Sequence, residues 1–588
     1  MLRGVEELFL LLQGAVDFGH AVLGETAPFR VPRYDLFPAA HGISQPSRPT
    51  SAYHMINPKP RPCEELLAQS ARGRAACTRH QKPWVLAATV LGSTMAYVDE
   101  SVVNVALPVM ERDLNASLSA MQWVVNAYTL CAAALLLLGG AAGDMYGRRR
   151  IFAVGISVFA VTSLGCGFAA SVLLLIGARI AQGLGAALLI PCSLAIIGAA
   201  FDEDERGKAI GVWSGSTAIA SGLAPLLGGW FVDHWSWRAI FLINPVLALP
   251  TLWILFRYVP ESRDSEARHG LDWRGTLLAF AGLAALVYGL IGASGFGWSS
   301  GIVIGSLLVG ALLLAGFLWQ EKRSPAPLMP LGLFRSPVFC GVNLLTLLLY
   351  GGLAGAFFFL PYLLIELHGY SALSAGAAFL PFTLIIALLS RWSGGLLDRF
   401  GGRWPLILGP AIAGLGLLLL AAPTMDSSYW VTFLPAMIVT GIGMAVTVAP
   451  LTTTVLNAVD PHHTGVASGI NNAVASVAGL LTVAVLGTVA ITVYDRSLDH
   501  HLALAGASVE IRHAVDAMRG SLVATVAPGG LAPGSAQIAR AVIDESLLEA
   551  FRLVLLVAAA MALAGAIFAA LTIRPEEARS HQREKAPA

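Results

Sequence analysis

The stretch GGAAGDMYGRRR at residues 139–150 recurs as SGGLLDRFGGRW at residues 393–404. Aspartate holds the same place in both copies, at Asp144 and Asp398, and each copy follows a long apolar segment. Weak internal symmetry of this kind is typical of membrane proteins built from two similar halves. About eight apolar segments separate the copies, whereas two halves of six would leave six. The spacing therefore predicts an inserted pair of segments.

The composition around the repeat is that of a membrane protein. Of the 588 residues, 56% are hydrophobic and 12% are charged, whereas globular domains average about 45–50% apolar and roughly 25% charged residues. The apolar residues come in blocks, and the runs at 275–293, 302–319 and 553–571 reach or approach the roughly 20 residues that cross a bilayer. We therefore predict an all-α polytopic membrane protein.

The apolar runs predict about fourteen spans, and the charges between them predict the orientation. Short loops after the even-numbered spans are rich in basic residues such as Arg206 and Lys322, while those on the other side carry little beyond Arg112 and Arg238. Because basic loops stay in the cytoplasm, both termini are expected there, with the protein in the inner or plasma membrane. The spans are predicted to begin near Trp84, Trp123, Ile151, Val172, Ala209, Ile240, Gly275, Ile302, Phe339, Leu373, Trp404, Tyr429, Ser468 and Leu547.

These spans divide the chain into five segments. The first, residues 1–82, is read as a cytoplasmic tail: an interfacial helix, a disordered arm, or translation from a start upstream of Met55. The others are a six-helix bundle at 83–260, a linker with two accessory helices at 261–337, a second six-helix bundle at 338–575 with a long external loop at 495–546, and a cytoplasmic tail at 576–588.

Several classes of protein are disfavoured. The net charge of +1 provides no basic field for nucleic acid. The six cysteines lack Cys-x-x-Cys spacing and the paired histidines at 462–463 and 500–501 fall in predicted loops, so neither a metal nor a cofactor is expected. The sequence has no Gly-x-x-x-x-Gly-Lys-[Ser/Thr] pattern, which argues against direct coupling to ATP. Glu366 and His368 fall at the end of the ninth span, where polar residues are normal.

The repeated loop suits a tight turn at a membrane surface. Gly147 and Gly401 tolerate positive φ, Asp144 is expected to cap a helix start, and the arginines that follow it hold that end in the headgroup region. Here the chain resembles the major facilitator superfamily, whose signature is Gly-x-x-x-Asp-x-x-Gly-Arg-[Arg/Lys]. The resemblance implies cytoplasmic gating loops formed by Gly140, Asp144, Gly147, Arg148, Arg149, Asp398, Gly401 and Arg403.

The fifth span is rich in glycine. Glycines at these spacings let two helices approach backbone to backbone, and Pro225 permits a kink, although ordinary tight packing explains the same pattern. The stretch GLAPLLGG at residues 222–229 is similar to the superfamily's antiporter motif, Gly-Pro-x-x-Gly-Gly, with Ala224 in place of its first glycine. By this resemblance, the antiporter helix is marked by Gly215, Gly222, Pro225, Gly228 and Gly229.

Ionisable residues inside spans are costly and are functional candidates. Asp99 and Glu100 fall in the first span and Arg179 in the fourth, about 15 Å and roughly 10 Å from the same surface at 1.5 Å per residue. A buried arginine needs a partner, and these carboxylates are the expected ones. Burial favours a protonated carboxyl and a nearby arginine favours the ionised form, so the site is suited to exchange protons. A static ion pair that fixes helix packing is the alternative.

The two acids differ in direction. Glu100 and Asn104 share a helix face, whereas Asp99 points about 100° away, so one carboxylate is expected to face the central cavity squarely. Four further stretches, VDESVVNVALP, WVVNAY, ARIAQGLGAALLIP and WRAIFLINP, resemble the fourteen-helix drug:proton antiporter family over about residues 84–575. Glu100 departs from that family's pattern, in which a small or hydroxyl residue is usual, and this favours cationic or amphipathic substrates.

The resemblance implies two six-helix bundles around a central cavity with two accessory helices, and export of small molecules in exchange for protons. It also implies a periplasmic adaptor and an outer-membrane channel as partners. The residues implied to bind proton or substrate are Asp99, Glu100, Asn104, Asn126, Arg179 and Gln182. Two alternatives stay open: an exporter of one dedicated metabolite, and a membrane sensor or scaffold that does not transport. An enzyme is not expected, because no nucleophile–base pair stands out.

Overall fold

The computed structural model describes residues 80–263, 272–324, 327–425, 427–460, 464–516, 519, 522 and 531–573. Contacts divide the chain into residues 1–63 and residues 64–588, and every described residue belongs to the second unit. The predicted tail over residues 1–82 therefore lies almost wholly outside the described residues, as does the tail at 576–588.

Regular structure in the described ranges is helical. Within these described ranges, thirteen helices are long and apolar enough to cross a membrane. A further helix, α1, is long enough at 32 residues, although Asp99 and Glu100 make it less apolar. The predicted all-α architecture is confirmed. The first half comprises α1 (Lys82–Asp113), α2 (Leu118–Tyr146), α3 (Arg148–Gly167), α4 (Val172–Ala200), α5 (Glu203–His234) and α6 (Ala239–Tyr258).

The remaining helices form an accessory hairpin and a second half. The hairpin is α7 (Trp273–Phe296) and α8 (Gly301–Arg323), and a 3-10 turn (Leu331–Arg335) leads from it to the second half. That half comprises α9 (Pro337–Tyr362) with a π turn (Leu363–Leu367), α10 (Ala372–Ala377), α11 (Leu380–Phe400), α12 (Arg403–Leu420), a π turn (Tyr429–Phe433), α13 (Leu434–Asn457), α14 (Thr464–Leu504), α15 (Val509–Asp516) and α16 (Pro533–Thr572).

Polar side chains define where several helices begin. Ser117, Ser171 and Ser336 accept hydrogen bonds from the first-turn amides of α2, α4 and α9, and Asp272 does the same for α7. Such caps satisfy amides that have no partner inside the helix. They fall between apolar runs, which is why hydropathy alone located most span starts well.

Each half packs chiefly within itself. In the first half α4 packs on α2 and α3, and α1 packs on α5 and α6. In the second half α12 packs on α13 and α16, and α9 packs on α14 and α16. The hairpin helix α7 packs against both α2 and α14, so it lies across the junction of the halves. The halves meet through α1 with α9, α2 with α14, and α5 with α10 and α11.

The long loop predicted at 495–546 is largely helical where it is described. α14 has 41 residues and α16 has 40, so at 1.5 Å per residue each is roughly 60 Å long, about twice the 30 Å hydrocarbon core. The helical extensions bury apolar residues such as Leu498, Ile511 and Ile543. Polar residues lie between these apolar residues and lower the mean hydropathy of the segment to a value typical of a loop. The spacing of the apolar residues is nevertheless that of a helix packed on one face.

Two ends of the bundle can now be distinguished. We call the surface where α1 ends and α2 begins the Met110 end, and the surface where α2 ends and α3 begins the Tyr146 end. Successive helices alternate in direction, so α5 ends at the Met110 end and α10 begins there. The same alternation brings the end of α8 and the start of α7 to the Tyr146 end.

Candidate functional site

Five polar side chains from four helices meet inside the first half. We call them the central polar cluster: Asp99 on α1, Ser163 on α3, Arg179 and Gln182 on α4, and Asn244 on α6. Each is at most 1% exposed. Burying this many polar groups is tolerated only when they satisfy one another. The cluster therefore joins four helices of one half at a single point.

Arg179 and Asp99 form an ion pair in which both side chains are buried. The same guanidinium donates to the backbone oxygen of Val124 at 3.0 Å and to Oε1 of Gln182 at 2.9 Å. It also lies over the ring of Tyr128, 4.2 Å from the centroid, which adds a cation–π contact. The predicted pairing of Arg179 with a carboxylate of α1 is present, and its partner is Asp99.

The second oxygen of Asp99 is also satisfied. Nε2 of Gln182 donates to Oδ1 at 2.9 Å and Nδ2 of Asn244 donates to the same oxygen at 3.1 Å. Asn244 also donates to Oγ of Ser163 at 2.9 Å, and Ser163 donates to the backbone oxygen of Phe241 at 2.8 Å. Both carboxylate oxygens of Asp99 therefore have partners within the cluster, and the guanidinium of Arg179 lies beside it as the opposite charge.

Glu100, the residue after Asp99, lies in a different environment. It is exposed, and among the described residues it has no hydrogen bond or ion pair. It shares one face of α1 with Tyr97, Ser101 and Asn104, of which Ser101 bonds Ser221 of α5 at 2.8 Å between hydroxyl oxygens. The side chains of Asp99 and Glu100 thus point in different directions from α1, as the sequence predicted. Glu100 therefore stands outside the central polar cluster, without a hydrogen-bond or ion-pair partner in the described part of the chain.

Two predicted residues stand apart from the cluster. Asn126 on α2 is 1% exposed, and its Nδ2 has no partner among the described residues. Asn104 is partly buried on the face of Glu100. Neither forms a described hydrogen bond to Asp99 or Arg179, so the structure brings Gln182 into the cluster but not these two asparagines.

The first repeated loop forms a turn at the Tyr146 end. Gly147 has φ +109° and Gly401 in the second copy has φ +70°, as the sequence predicted for both. Asp144 does not cap a helix start, because its carboxylate instead pairs with Arg148 four residues on, at 2.7 Å. Gly140 contacts Pro191 across the interface with α4, since an added Cβ would lie 3.4 Å from the proline Cβ.

Glu261, after α6, anchors this loop and was not predicted. Its Oε1 accepts from the backbone amide of Arg149 at 3.0 Å, and a Cβ added to Gly147 would lie 2.8 Å from its carboxyl group. Arg149 also donates through its guanidinium to the backbone oxygen of Val259 at 3.0 Å. In the second copy the side chain of Asp398 lies outside the described part, while Arg403 donates to the backbone oxygen of Ala570 on α16 at 3.3 Å.

The glycines of α5 divide into two groups along the helix. Towards the Met110 end, a Cβ added to Gly222 would overlap Thr383 of α11, and one added to Gly229 would overlap the backbone of Ala372 in α10. Gly228 similarly contacts Val102 of α1, and the backbone of Pro225 contacts Gly376. Towards the Tyr146 end, a Cβ added to Gly211 or to Gly215 would have no described neighbour within 4 Å. The predicted close approach therefore occurs in one half of the helix.

Hydrogen bonds between the two halves gather at the Met110 end. Arg112 of α1 donates to Glu366 of the π turn at 2.6 Å, and the hydroxyl of Tyr362 donates to Glu111 at 2.7 Å. Asp233 at the end of α5 accepts from the amides of residues 372 and 373, at 3.0 and 2.8 Å. Glu366 lies after α9, at the end of the ninth span as the sequence predicted, but it is only 2% exposed and takes part in the contact between the halves.

Residues 89–483 match the family described as the Major Facilitator Superfamily. The chain belongs to the major facilitator superfamily. Like its superfamily relatives it is a multi-pass membrane transporter and not an enzyme, and the predicted family and fold are confirmed.

Relatives of this transporter carry resistance and export names. It is 35% identical over 480 residues to the multidrug resistance protein Stp of Mycobacterium tuberculosis (strain CDC 1551 / Oshkosh), covering 81% of this chain and 89% of that protein. It is 33% identical over 499 residues to the tetracenomycin C resistance and export protein of Streptomyces glaucescens, covering 84% and 92%. A solved structure of similar fold is a bacterial homologue of the human lysosomal transporter Spinster, with a TM-score of 0.60, 17% identity, and coverage of 84% of this chain and 98% of that one.

Sequence reasoning missed two members of the transporter's central polar cluster. Asn244 lies in the run AIFLINPVLALP, where it is the one strongly polar side chain of an apolar span. That is the same signal that identified Arg179, and it was available. Ser163 gave no such signal, because serine is common in membrane helices and can bond its own backbone. Its role depends on α3 and α6 lying side by side.

Proposed function

We propose that this transporter exports small molecules in exchange for protons by alternating access, as a multidrug exporter of the inner or plasma membrane. The observation that carries the proposal is the contrast between Asp99, which is buried and balanced by Arg179, and Glu100, which is exposed and unbalanced. An unpaired carboxylate within the span attracts either a proton or a cationic group. A proton and a cationic group cannot occupy the carboxylate of Glu100 at the same time. This competition for one carboxylate is the basis of antiport.

In this mechanism the central polar cluster is the fixed part. Asp99 and Arg179 belong to the same half, so their ion pair persists when the halves move relative to one another. Protonation of Glu100 removes its charge and releases a cationic or amphipathic substrate, and deprotonation restores the attraction. A proton entering down its gradient supplies about 2.3 kcal/mol per 100 mV of membrane potential.

Alternating access requires the two halves to part at one end of the bundle while they meet at the other. Described hydrogen bonds between them gather at the Met110 end, while glycines of α5 nearer the Tyr146 end have open space beside them. We infer that the Tyr146 end faces the cytoplasm, because the arginines at 148–150 lie there. On this orientation the arrangement admits substrate from the cytoplasm. The adaptor and channel partners remain predictions.

The test uses purified full-length protein in liposomes carrying a pH-sensitive dye. Glu100→Gln, Asp99→Asn and the double variant are compared with Asp113→Asn, which removes an acid of the same helix whose pKa is lowered by hydrogen bonds from Trp237 and Arg238 outside the cluster. We expect the double variant to lose substrate-driven proton movement entirely and Asp113→Asn to retain it. Retained exchange in a double variant that melts as the wild type does would rule out these acids.

A dedicated exporter of one metabolite is the second candidate. It is favoured by a relative named for a single antibiotic, the tetracenomycin C resistance and export protein. Susceptibility of a pump-deficient host to a panel of unrelated toxic compounds separates the two. Protection against several cationic compounds, lost with a protonophore, supports multidrug export, and protection against one compound supports the dedicated exporter.

A further inference from the structure

A second pair of acids lies at the base of the accessory hairpin, far along the chain from the central polar cluster. Asp272 precedes α7 and Glu321 lies in the last turn of α8. Glu321 is 3% exposed, and Asp272 is partly buried. Both lie towards the Tyr146 end and belong to the accessory hairpin that connects the two halves.

Each acid uses one oxygen in an ordinary structural bond. Oδ1 of Asp272 accepts from the amide of Gly275 at 2.9 Å and caps α7. Oε2 of Glu321 accepts from the amide of Met329 at 2.8 Å, in the segment that leads to α9. These bonds attach both acids to the backbone, so neither carboxyl group can turn away freely.

The other two oxygens are buried and lie beside the same residue, Gly275. Oδ2 of Asp272 and Oε1 of Glu321 are inaccessible to solvent and have no hydrogen-bond partner among the described residues. A Cβ added to Gly275 would lie 3.1 Å from the first oxygen and 3.0 Å from the second. The two unpartnered oxygens therefore border the same small space, which exists because residue 275 has no side chain.

No described cation balances this pair. Among the described residues, the basic ones nearest in sequence are Arg263, Arg274, Lys322 and Arg323, and all are exposed. Arg274 lies over the ring of Trp273 and Arg323 over that of Trp319, and none of the four forms a described ion pair with either acid. Two ionised carboxylates in a buried space repel each other and leave both oxygens unsatisfied.

We infer that Asp272 and Glu321 bind one proton between them. A single proton removes one of the two charges and turns one oxygen into a donor for the other, so it satisfies both orphan atoms at once. The proton then joins the start of α7, the end of α8 and the segment entering the second half. This site is independent of the proposed antiport, and its ligand class is a proton held by a carboxyl–carboxylate pair.

The sign of the pH dependence follows from this binding. The folded protein holds a proton at neutral pH that the unfolded chain, with separated carboxylates, has released. The stability that it contributes is present at low pH and is lost as rising pH removes the proton from the folded pair. Glu321→Gln supplies a permanent N–H donor at nearly the same shape and should remove this dependence. Asp272→Asn does the same while keeping a good helix cap.

The experiment measures the melting temperature of purified full-length protein in detergent between pH 5 and pH 9, together with its infrared spectrum. The control is Glu510→Gln, which removes an exposed acid on α15. We expect wild type and control to lose about 3 °C more across this range than Glu321→Gln or Asp272→Asn. The wild-type spectrum should contain a protonated-carboxyl band that Glu321→Gln lacks.

Three outcomes would overturn the assignment. The first is an identical pH dependence in wild type and Glu321→Gln. The second is a protonated-carboxyl band unchanged by either substitution. The third is a wild-type melting temperature that rises with sodium or calcium chloride at fixed pH while that of Glu321→Gln does not, which would make the ligand a metal ion. If both variants fail to fold, the wild-type pH and salt series with its spectrum still decides between these results.

Discussion

The central polar cluster and the Met110 end both bury charges, but they connect different parts of the molecule. Asp99 and Arg179 come from the same half, and their ion pair joins two helices of one bundle. Arg112 and Glu366 come from opposite halves, and their ion pair must break whenever the halves part at that end. The comparison teaches that position relative to the junction, more than burial, decides whether a charge pair serves the fold or the conformational state.

The largest effect is expected from breaking the ion pair between Asp99 and Arg179 within the first half. Arg179→Gln removes the partner of the buried Asp99, and removing one partner of a buried pair typically costs about 3–5 kcal/mol. We expect a large loss of melting temperature and of protein in the membrane. Adding Asp99→Asn should restore most of the stability but not proton exchange. A single Arg179→Gln variant that is as stable as wild type would contradict the structural role of the pair.

A smaller effect is expected from overpacking the backbone contact between α5 and α10, which belong to opposite halves. Gly229→Ala places a methyl group against the backbone of Ala372, which cannot yield as a side chain can, and overpacking of this kind costs about 1–3 kcal/mol. The cost falls only on the state closed at the Met110 end, so labelling of a cysteine introduced near that end should increase. Gly211→Ala, which meets no described atom, is the matched control. Equal labelling in the two variants would contradict the packing argument.

The smallest effect concerns the ion pair between the halves. Arg112 is 37% exposed at its side chain, so reversing it with Arg112→Glu should shift the closed state by only about 1 kcal/mol, roughly fivefold in population. The double variant Arg112→Glu/Glu366→Arg should recover part of the loss. Double electron–electron resonance between labels on α1 and α9 measures the shift. An unchanged distance distribution in both variants would show that the pair does not hold this end closed.

Sequence reasoning succeeded where a single residue carries its own signal. Asp99, Glu100 and Arg179 are charges in apolar spans, and the glycine turns at Gly147 and Gly401 follow from chain geometry, so all were found. It was less successful where neighbours decide the role. Asp144 was expected to cap a helix and instead pairs with Arg148, because the turn at Gly147 brings the start of α3 beside the end of α2. The loop expected at 495–546 is largely helical in its described part, because its apolar positions are spaced for packing and not clustered.

By itself, the sequence determined that the chain crosses a membrane many times, that it contains two related halves with an inserted pair of helices, and that charges lie inside the first half. These follow from hydropathy, repetition and the cost of burying charge, which are properties of the chain. Only the tertiary structure decided that Arg179 pairs with Asp99 and not with Glu100. It also decided that Asn244 and Ser163 complete the cluster, and that Glu366 pairs with Arg112 from the opposite half. Partners distant in sequence are chosen by which helix faces adjoin, and no local pattern records that choice.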